Sequence, residues 1–449
     1  MDDVDVLIIG AGPAGVISAI TCAKMGLDVI LIDSKSFDQI GNKVCGDGLF
    51  KSFTSFLEKE VGILQPHGSE VSDTFESMVL RAAEVDLPIE GHGFIVDRFL
   101  YGQRLLKEAI DLGVNVRAET KGTKAQVDGN CVIGAIVEEK NGSQYFIKAK
   151  ITIDSSGRNY QIRKTLPQNL FPNIETRMNK SDIAGSYREI IRINEDHLFQ
   201  KKIFLEFRSD IPSGGYFWIF TKGKRMLNVG IGWPMNVKSQ KGMKKHLWDI
   251  LTEYYSDYEV LAKGGFTIPM RYPLMNAVAS GFIVAGDAAF HANPFSAEGH
   301  GPALVAGYYA GKAAADAINK GNFVEDQLWK YNHNILKHFG GIHIKYQLIL
   351  EMLRKIQITG LGFLLKRSIL TEELMKQIVD GGSINTSSKL RIVWRSFPYY
   401  GIAFKLRKLQ QQIYLFEKLL QSYPEDPTGF PHWYSQFYKN MNLIRDSSL

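Results

Sequence analysis

At 449 residues, 45% apolar and 22% charged, the chain is too long for one small core and has the composition of an ordinary globular protein, which excludes a disordered chain. Its three cysteines, Cys22, Cys45 and Cys131, are widely spaced without a CxxC pair; this indicates neither a disulfide framework nor an iron–sulfur site, no metal centre is expected, and a reducing cytosol fits. The net charge of +6 is uneven, since residues 331–449 hold 16 Lys/Arg against 8 Asp/Glu; a solvated helical face is the default reading, attraction to anionic lipid or a phosphorylated substrate the sharper one, and no nucleic-acid motif accompanies the charge.

The apolar run Val4 to Ile9 enters Gly10-Ala11-Gly12-Pro13-Ala14-Gly15, helical spacing follows from Val16 to Met25, and a second apolar run ends at Asp33. This is strand, glycine turn, helix, strand. Gly10 suits a tight turn, Gly12 close approach to a pyrophosphate and Gly15 close helix–strand packing. Ala14 falls on the first helical turn, where unpaired N–H groups receive phosphate. Asp33 is placed to accept a ribose hydroxyl, and the whole pattern predicts a bound dinucleotide. Asp2, Asp3 and Asp5 stand where a signal peptide would be basic. No stretch is predicted to span a membrane, because Glu351, Arg354 and Lys355 break the best candidate, Tyr346 to Leu365.

Lys43-Val44-Cys45-Gly46-Asp47-Gly48 reads as a loop at the cofactor crevice. A cysteine there, between flexible residues, is a candidate for chemistry. Residues 71–96 read as strands and 97–112 as a helix with Asp97 as N-cap. Arg98 beside that cap is placed to meet a phosphate, or equally to form a surface ion pair. Val114 to Lys150 reads as a β-meander turning at Asp128-Gly129-Asn130 and Asn141-Gly142, and Ile151 to Gly157 as a strand returning to a Ser/Gly turn. From 180 to 275 long alternating strands are predicted, and the period of two puts Tyr216, Trp218 and Phe220 on one face. That face is either core or the wall of an apolar ligand site. A buried strand then delivers Gly286-Asp287, with Asn293-Pro294 and Glu298-Gly299-His300-Gly301 beyond it. Asp287 would accept from a ribityl hydroxyl, and the N–H groups near Gly299 and His300 would face the negative locus of a reduced flavin. This distant second half points to FAD over NAD. The remainder is predicted helical, with a small-residue helix from Ala303 to Asn319. An amphipathic, aromatic end (Trp394, Phe397, Tyr399, Tyr400, Phe404) could cover an apolar channel or touch lipid.

On these residues the chain resembles the geranylgeranyl reductase family of FAD proteins, within the GR2, para-hydroxybenzoate hydroxylase-like superfamily, and most of all its archaeal lipid-biosynthetic members. The pattern is matched at Gly10 to Gly15 with Asp33, at Lys43 to Gly48, at Arg98, at Gly286-Asp287-Ala288-Ala289, at Asn293-Pro294 and at Glu298-Gly299. The aromatic signature is matched by Tyr216, Trp218 and Phe220, with Thr221 where it ordinarily ends in proline. The hydroxylase Asp-Gly motif stands as Ser156-Gly157, with Tyr160 in place of a serine and Arg163 retained, which leans away from an oxygen-inserting enzyme. His300 replaces an apolar residue.

The resemblance implies an α/β (α+β) fold: a discontinuous Rossmann-type FAD domain over 1–175 and 276–330, an antiparallel-sheet substrate domain over 176–275 joined by strands around 71–96, and a helical region over 331–449. It implies FAD contacts at Ala14, Asp33, Cys45, Gly46, Gly48, Arg98, Gly122, Asp287, Gly299 and His300. The implied substrate is a geranylgeranyl chain, free as its diphosphate or ether-linked to glycerol phosphate, whose double bonds are saturated stepwise. An isolated alkene is a poor hydride acceptor, so hydride delivery must be coupled to protonation. Cys45 is the expected acid, with His291 or His300 as the second candidate, while Tyr216, Trp218 and Phe220 hold the chain. The electron donor, NAD(P)H, ferredoxin or another, is left open. The expected location is the cytoplasm, with peripheral contact to the cytoplasmic membrane face as an option. The rival readings are a flavin monooxygenase, or another isoprenoid-modifying flavoprotein, of the same fold and a non-catalytic prenyl-chain carrier.

Overall fold

The computed structural model describes residues 2–197, 199–379, 392, 394–396 and 400–446. Two eight-stranded sheets organise it. The first is built on β1 (Asp2–Ile9), which pairs in parallel with β2 (Val29–Ile32) on one side and with β9 (Gln144–Asp154) on the other. β6 (Asn115–Arg117) extends it beyond β2, and β16 (Phe282–Val284) with β15 (Val278–Ala279) beyond β9. Because the neighbours of β1 lie on opposite sides, the strand order reverses at its carboxyl end, where ligands bind in open α/β sheets. β9 has three partners: β1 along residues 147–154, and on its other edge β8 (Cys131–Glu139) at residues 144–148 and then β16 at 152–154, with β7 (Thr120–Asp128) pairing beyond β8.

The second sheet runs β14 (Tyr258–Pro269), β10 (Ile183–Ile193), β13 (Met226–Pro234), β12 (Tyr216–Thr221), β11 (Lys202–Phe207), β4 (Val71–Ala82), β5 (Val85–Val96), β3 (Gly48–Phe50). It departs from a purely antiparallel sheet at one junction, where β11 and β4 pair in parallel. Over a hundred residues separate these strands, so no hairpin fixes their relative direction. The pleat separates the residues of β12. Phe217 and Ile219 join a core beneath helix α4 (Met243–Tyr254), while Trp218 joins the main core, with Tyr216 and Phe220 packed against it.

Helix α1 (Pro13–Lys24) follows β1, and α5 (His300–Asn319) lies directly on it. The small residues of α5 permit this approach: a Cβ on Gly307 would come within 2.3 Å of the Ala14 carbonyl, and the Ser18 hydroxyl donates to Gly307 O at 3.0 Å. Between them in sequence come α2 (Lys51–Val61) and α3 (Arg98–Asp111). The Asp97 carboxylate accepts from Phe99 N and Leu100 N at 3.0 Å, so the expected cap of α3 is formed. The C-terminal region is helical, with long helices at Gly341–Lys366, Tyr400–Gln421 and Phe430–Asp446. Trp394, Tyr400 and Phe404 are exposed; Phe397 and Tyr399 lie outside the described residues. No described helix is long and apolar enough to cross a membrane.

Candidate active site

One cavity of about 960 Å³ runs from the first glycine turn to the aromatic face of β12. At its near end Gly10 has φ +101°, and a Cβ there would meet Ser155 O at 2.6 Å; only glycine fits this turn. A Cβ on Gly12 would meet no protein atom within 4 Å, so the backbone is bare towards the cavity, ahead of the unpaired N–H groups of α1. Gly15 is different: it packs against Gly10 O and Ser155 Oγ and does not line the cavity. Asp33 directly follows β2 and accepts Ala11 N at 2.8 Å and Lys35 N at 2.9 Å, which orients its carboxylate at the cavity edge.

Ala14, Asp33, Cys45, Gly46, Gly48, Arg98, Gly122, Asp287, Gly299, His300, Tyr216, Trp218 and Phe220 all line this one cavity, although they are scattered along the chain. Asp287 pairs with Lys43 at 2.9 Å, a half-exposed lysine closing over the Gly286-Asp287 turn. Tyr216 donates to Ser296 O at 2.5 Å, fixing one end of the aromatic wall. Burial raises its phenol well above the ordinary range. Successive ring centroids along Tyr216, Trp218 and Phe220 are 6.1 and 6.4 Å apart, a tilted apolar ladder.

The Cys45 loop lies against this ladder. A Cβ on Gly46 would meet Phe220 Cε2 at 2.6 Å, so the glycine lets the loop close on the ring. The Cys45 sulfur donates to Asp47 Oδ1 at 3.1 Å and accepts from Asp47 N at 3.1 Å and Arg98 Nη1 at 3.2 Å. Burial pushes the Cys45 thiol up, Arg98 draws it down, and the Asp47 charge and hydrogen bond push it up again. Asp47 in turn is held by Lys222 Nζ and Asn228 Nδ2, each at 3.0 Å from Oδ2. Asn228 also donates to Cys45 O at 2.8 Å and accepts from Trp218 Nε1 at 3.1 Å.

The two histidines weighed as acids part company. His300 opens α5, lines the cavity and is buried with Nδ1 lacking a partner; burial, then Arg98 and Lys43, hold it well below 6.5 and hence neutral. His291 does not line the cavity: it is fully buried behind the Gly-Asp turn, and its Nδ1 accepts Gly286 N at 3.1 Å. Burial lowers it to about 3, so it is a neutral imidazole near neutral pH and has no imidazolium proton to give. The structure thus places His291 as a prop for the Asp287 turn.

Three further residues belong to the site. Glu298 lines the cavity and accepts Gly301 N at 2.8 Å, and burial raises its carboxyl to about 7. The sequence marks it only as part of a motif. Lys222 and Asn228 carry no local signal, because each is defined by a partner about 180 residues earlier in the chain.

The residues fit FAD, with a bare glycine turn and acidic strand end for the nucleotide half and a second turn bearing Asp287 for the other. A model described as FAD-dependent oxidoreductase matches residues 5–159, and one described as geranylgeranyl reductase catalytic domain matches residues 182–266. The chain is similar to the digeranylgeranylglycerophospholipid reductase of Sulfolobus acidocaldarius, 29% identical over 96% of this chain and 95% of the relative. It is also similar to digeranylgeranylglycerophospholipid reductase 1 of Methanococcoides burtonii, 28% identical over 76% and 81% of the two chains. Among solved structures, a geranylgeranyl bacteriochlorophyll reductase-like protein from Thermoplasma acidophilum shares the fold, with a TM-score of 0.74 and 21% identity over 91% of this chain and 100% of the other. The halogenase PltM, solved in complex with phloroglucinol and FAD, shares it at a TM-score of 0.63 and 13% identity over 98% and 96%. Two matched regions in chain order, one spanning the first glycine turn and the other the aromatic strand, and a relative aligned nearly end to end make this chain an FAD-dependent oxidoreductase that is similar to the geranylgeranyl reductases.

Proposed function

We propose that the chain saturates the C=C bonds of geranylgeranyl chains in membrane-lipid synthesis, acting on digeranylgeranylglycerophospholipids or geranylgeranyl diphosphate. The observation that carries this reading is the single cavity joining the dinucleotide turn and Asp287 to the Tyr216, Trp218 and Phe220 wall, with a thiol between them. FAD, when bound, supplies hydride to the alkene. The chain's own residues do the rest. Gly12 and Ala14 hold phosphate at the start of α1, Asp33 and Asp287 take hydroxyls, and the aromatic wall orients a hydrocarbon that offers no polar handle. Cys45 is the acid: its S–H proton goes to the less substituted alkene carbon while the tertiary carbon accepts hydride.

In this reading residues 1–175 with 276–330 hold the cofactor, 176–275 the substrate, and 331–449 cover the chain. The exposed Trp394 and Phe404, on a segment rich in Lys and Arg, support contact with the cytoplasmic membrane face.

The test is anaerobic: reduce the FAD-loaded protein with dithionite, add a digeranylgeranylglyceryl phospholipid and follow flavin reoxidation with product mass. Reoxidation with a gain of two hydrogens per saturated bond supports the reductase. A flavin that stays reduced until air enters refutes it in favour of oxygen chemistry, and a protein that never holds flavin refutes it in favour of a carrier.

A further inference from the structure

We infer that Asp47, anchored by Lys222 and Asn228, is a positioning residue that keeps Cys45 a thiol, setting the pH range over which the sulfur holds a proton. Its value to the reaction rests on the reading of Cys45 as the acid, but its test does not.

The geometry fixes which protonation state is favoured. The Cys45 sulfur lies 3.1 Å from Asp47 Oδ1. With a proton between them this is a hydrogen bond; without it two anions face each other in a partly dehydrated wall. Asp47 N and Arg98 Nη1 take the sulfur's accepting side at 3.1 and 3.2 Å, so all of its hydrogen-bonding capacity is used by the thiol form. Arg98 and the Asp47 N–H favour the thiolate. The Asp47 carboxylate opposes them.

Asp47 has no freedom to turn away. It is 5% exposed, Lys222 and Asn228 hold Oδ2, and its carbonyl accepts Val96 N at 2.9 Å. Its backbone is left-handed, with φ +69°, and it stands between Gly46 and Gly48. Glycine takes this conformation freely, and aspartate and asparagine tolerate it. The carboxylate therefore has work that the backbone alone does not require. The other charged or titratable groups on this wall are Lys43, paired with Asp287, and Glu298 and His300 near Arg98. None of them touches the sulfur. Stepwise saturation consumes the S–H proton at every bond, and a carboxylate beside the sulfur favours its return from solvent.

The experiment uses the FAD-loaded wild type with Asp47→Asn and Asp47→Gly, both residue types that tolerate left-handed backbone. Iodoacetamide labelling of Cys45 is followed from pH 6 to 10 by peptide mass, with flavin absorbance confirming that FAD is retained. The labelling midpoint is expected to fall by about one pH unit or more in both variants, a tenfold rise in thiolate fraction below the midpoint. A midpoint that stays in place or rises overturns the inference, and so does a variant that only loses FAD or stability. In the saturation assay the alkaline limb of the pH profile should move down with the labelling midpoint in Asp47→Asn. If Cys45→Ala saturates the alkene at full rate while the labelling midpoint still shifts, the acid role of Cys45 falls and the control of its ionisation by Asp47 stands.

Discussion

Asn228→Ala would disconnect the aromatic wall from the thiol loop. Asn228 is fully buried and makes three hydrogen bonds at once: from Trp218 Nε1 at 3.1 Å, to Cys45 O at 2.8 Å and to Asp47 Oδ2 at 3.0 Å. Alanine leaves the indole N–H and the Cys45 carbonyl unpartnered and removes one donor from a buried carboxylate that keeps Lys222. Each buried polar group stripped of its partner costs about 1–3 kcal/mol. The groups border a large cavity from which water can replace part of the loss, which sets the expected destabilisation at about 2–4 kcal/mol. Denaturant unfolding of wild type and variant, compared by midpoint and slope, gives the number directly. A cycle with Trp218→Phe isolates the indole bond, which should account for about 1 kcal/mol of coupling. A total loss below about 1 kcal/mol, or no coupling between the two substitutions, would refute the claim that this asparagine ties wall and loop together.

Gly46→Ala should keep FAD but slow alkene saturation, since the new methyl would sit 2.6 Å from Phe220 Cε2 and the ring or loop must move; overpacking of this kind costs about 1–3 kcal/mol. Adding Phe220→Leu should recover part of the rate, and a rate unchanged in Gly46→Ala would show that loop and ring are not in contact. Glu298, raised to about 7 in the folded protein from 4.5, contributes stability that is fully present below pH 4.5 and lost as pH rises through 7. In the FAD-free protein Glu298→Gln should therefore become the more stable form as pH rises from 5 to 8, by up to about 3 kcal/mol. A difference that does not change with pH would show that Glu298 ionises normally.

Local chemistry made the cofactor half legible. The glycine turn, the acid following β2, the Asp97 cap and the Gly286-Asp287 turn are short-range patterns whose physics is complete within a few residues. Period two separated Tyr216, Trp218 and Phe220 from Phe217 and Ile219, and the pleat of β12 keeps them apart. What was not legible depends on distant partners. The parallel pairing of β4 with β11 is set by packing across the sheet, and the Lys222 and Asn228 contacts to Asp47 exist only once β12 and β13 lie over the thiol loop. His291 and His300 show the same limit at short range: nine residues apart, one supports the Gly-Asp turn from behind and the other faces the cavity.

The lodging of α5 against α1 has a consequence for synthesis on the ribosome. Asp33 and Asp287 are separated by about 250 residues, which at about 5–20 residues per second is roughly 10–50 s of translation. During that interval the first half of the nucleotide pocket exists without its second half, and the face of α1 that receives Gly307 and Gly311 has no covering. Until α5 emerges, that face of α1 lacks the partner it packs against in the folded protein. The pocket that joins Asp33 to Asp287 is therefore complete only late in synthesis, once two chain segments made far apart in time have met.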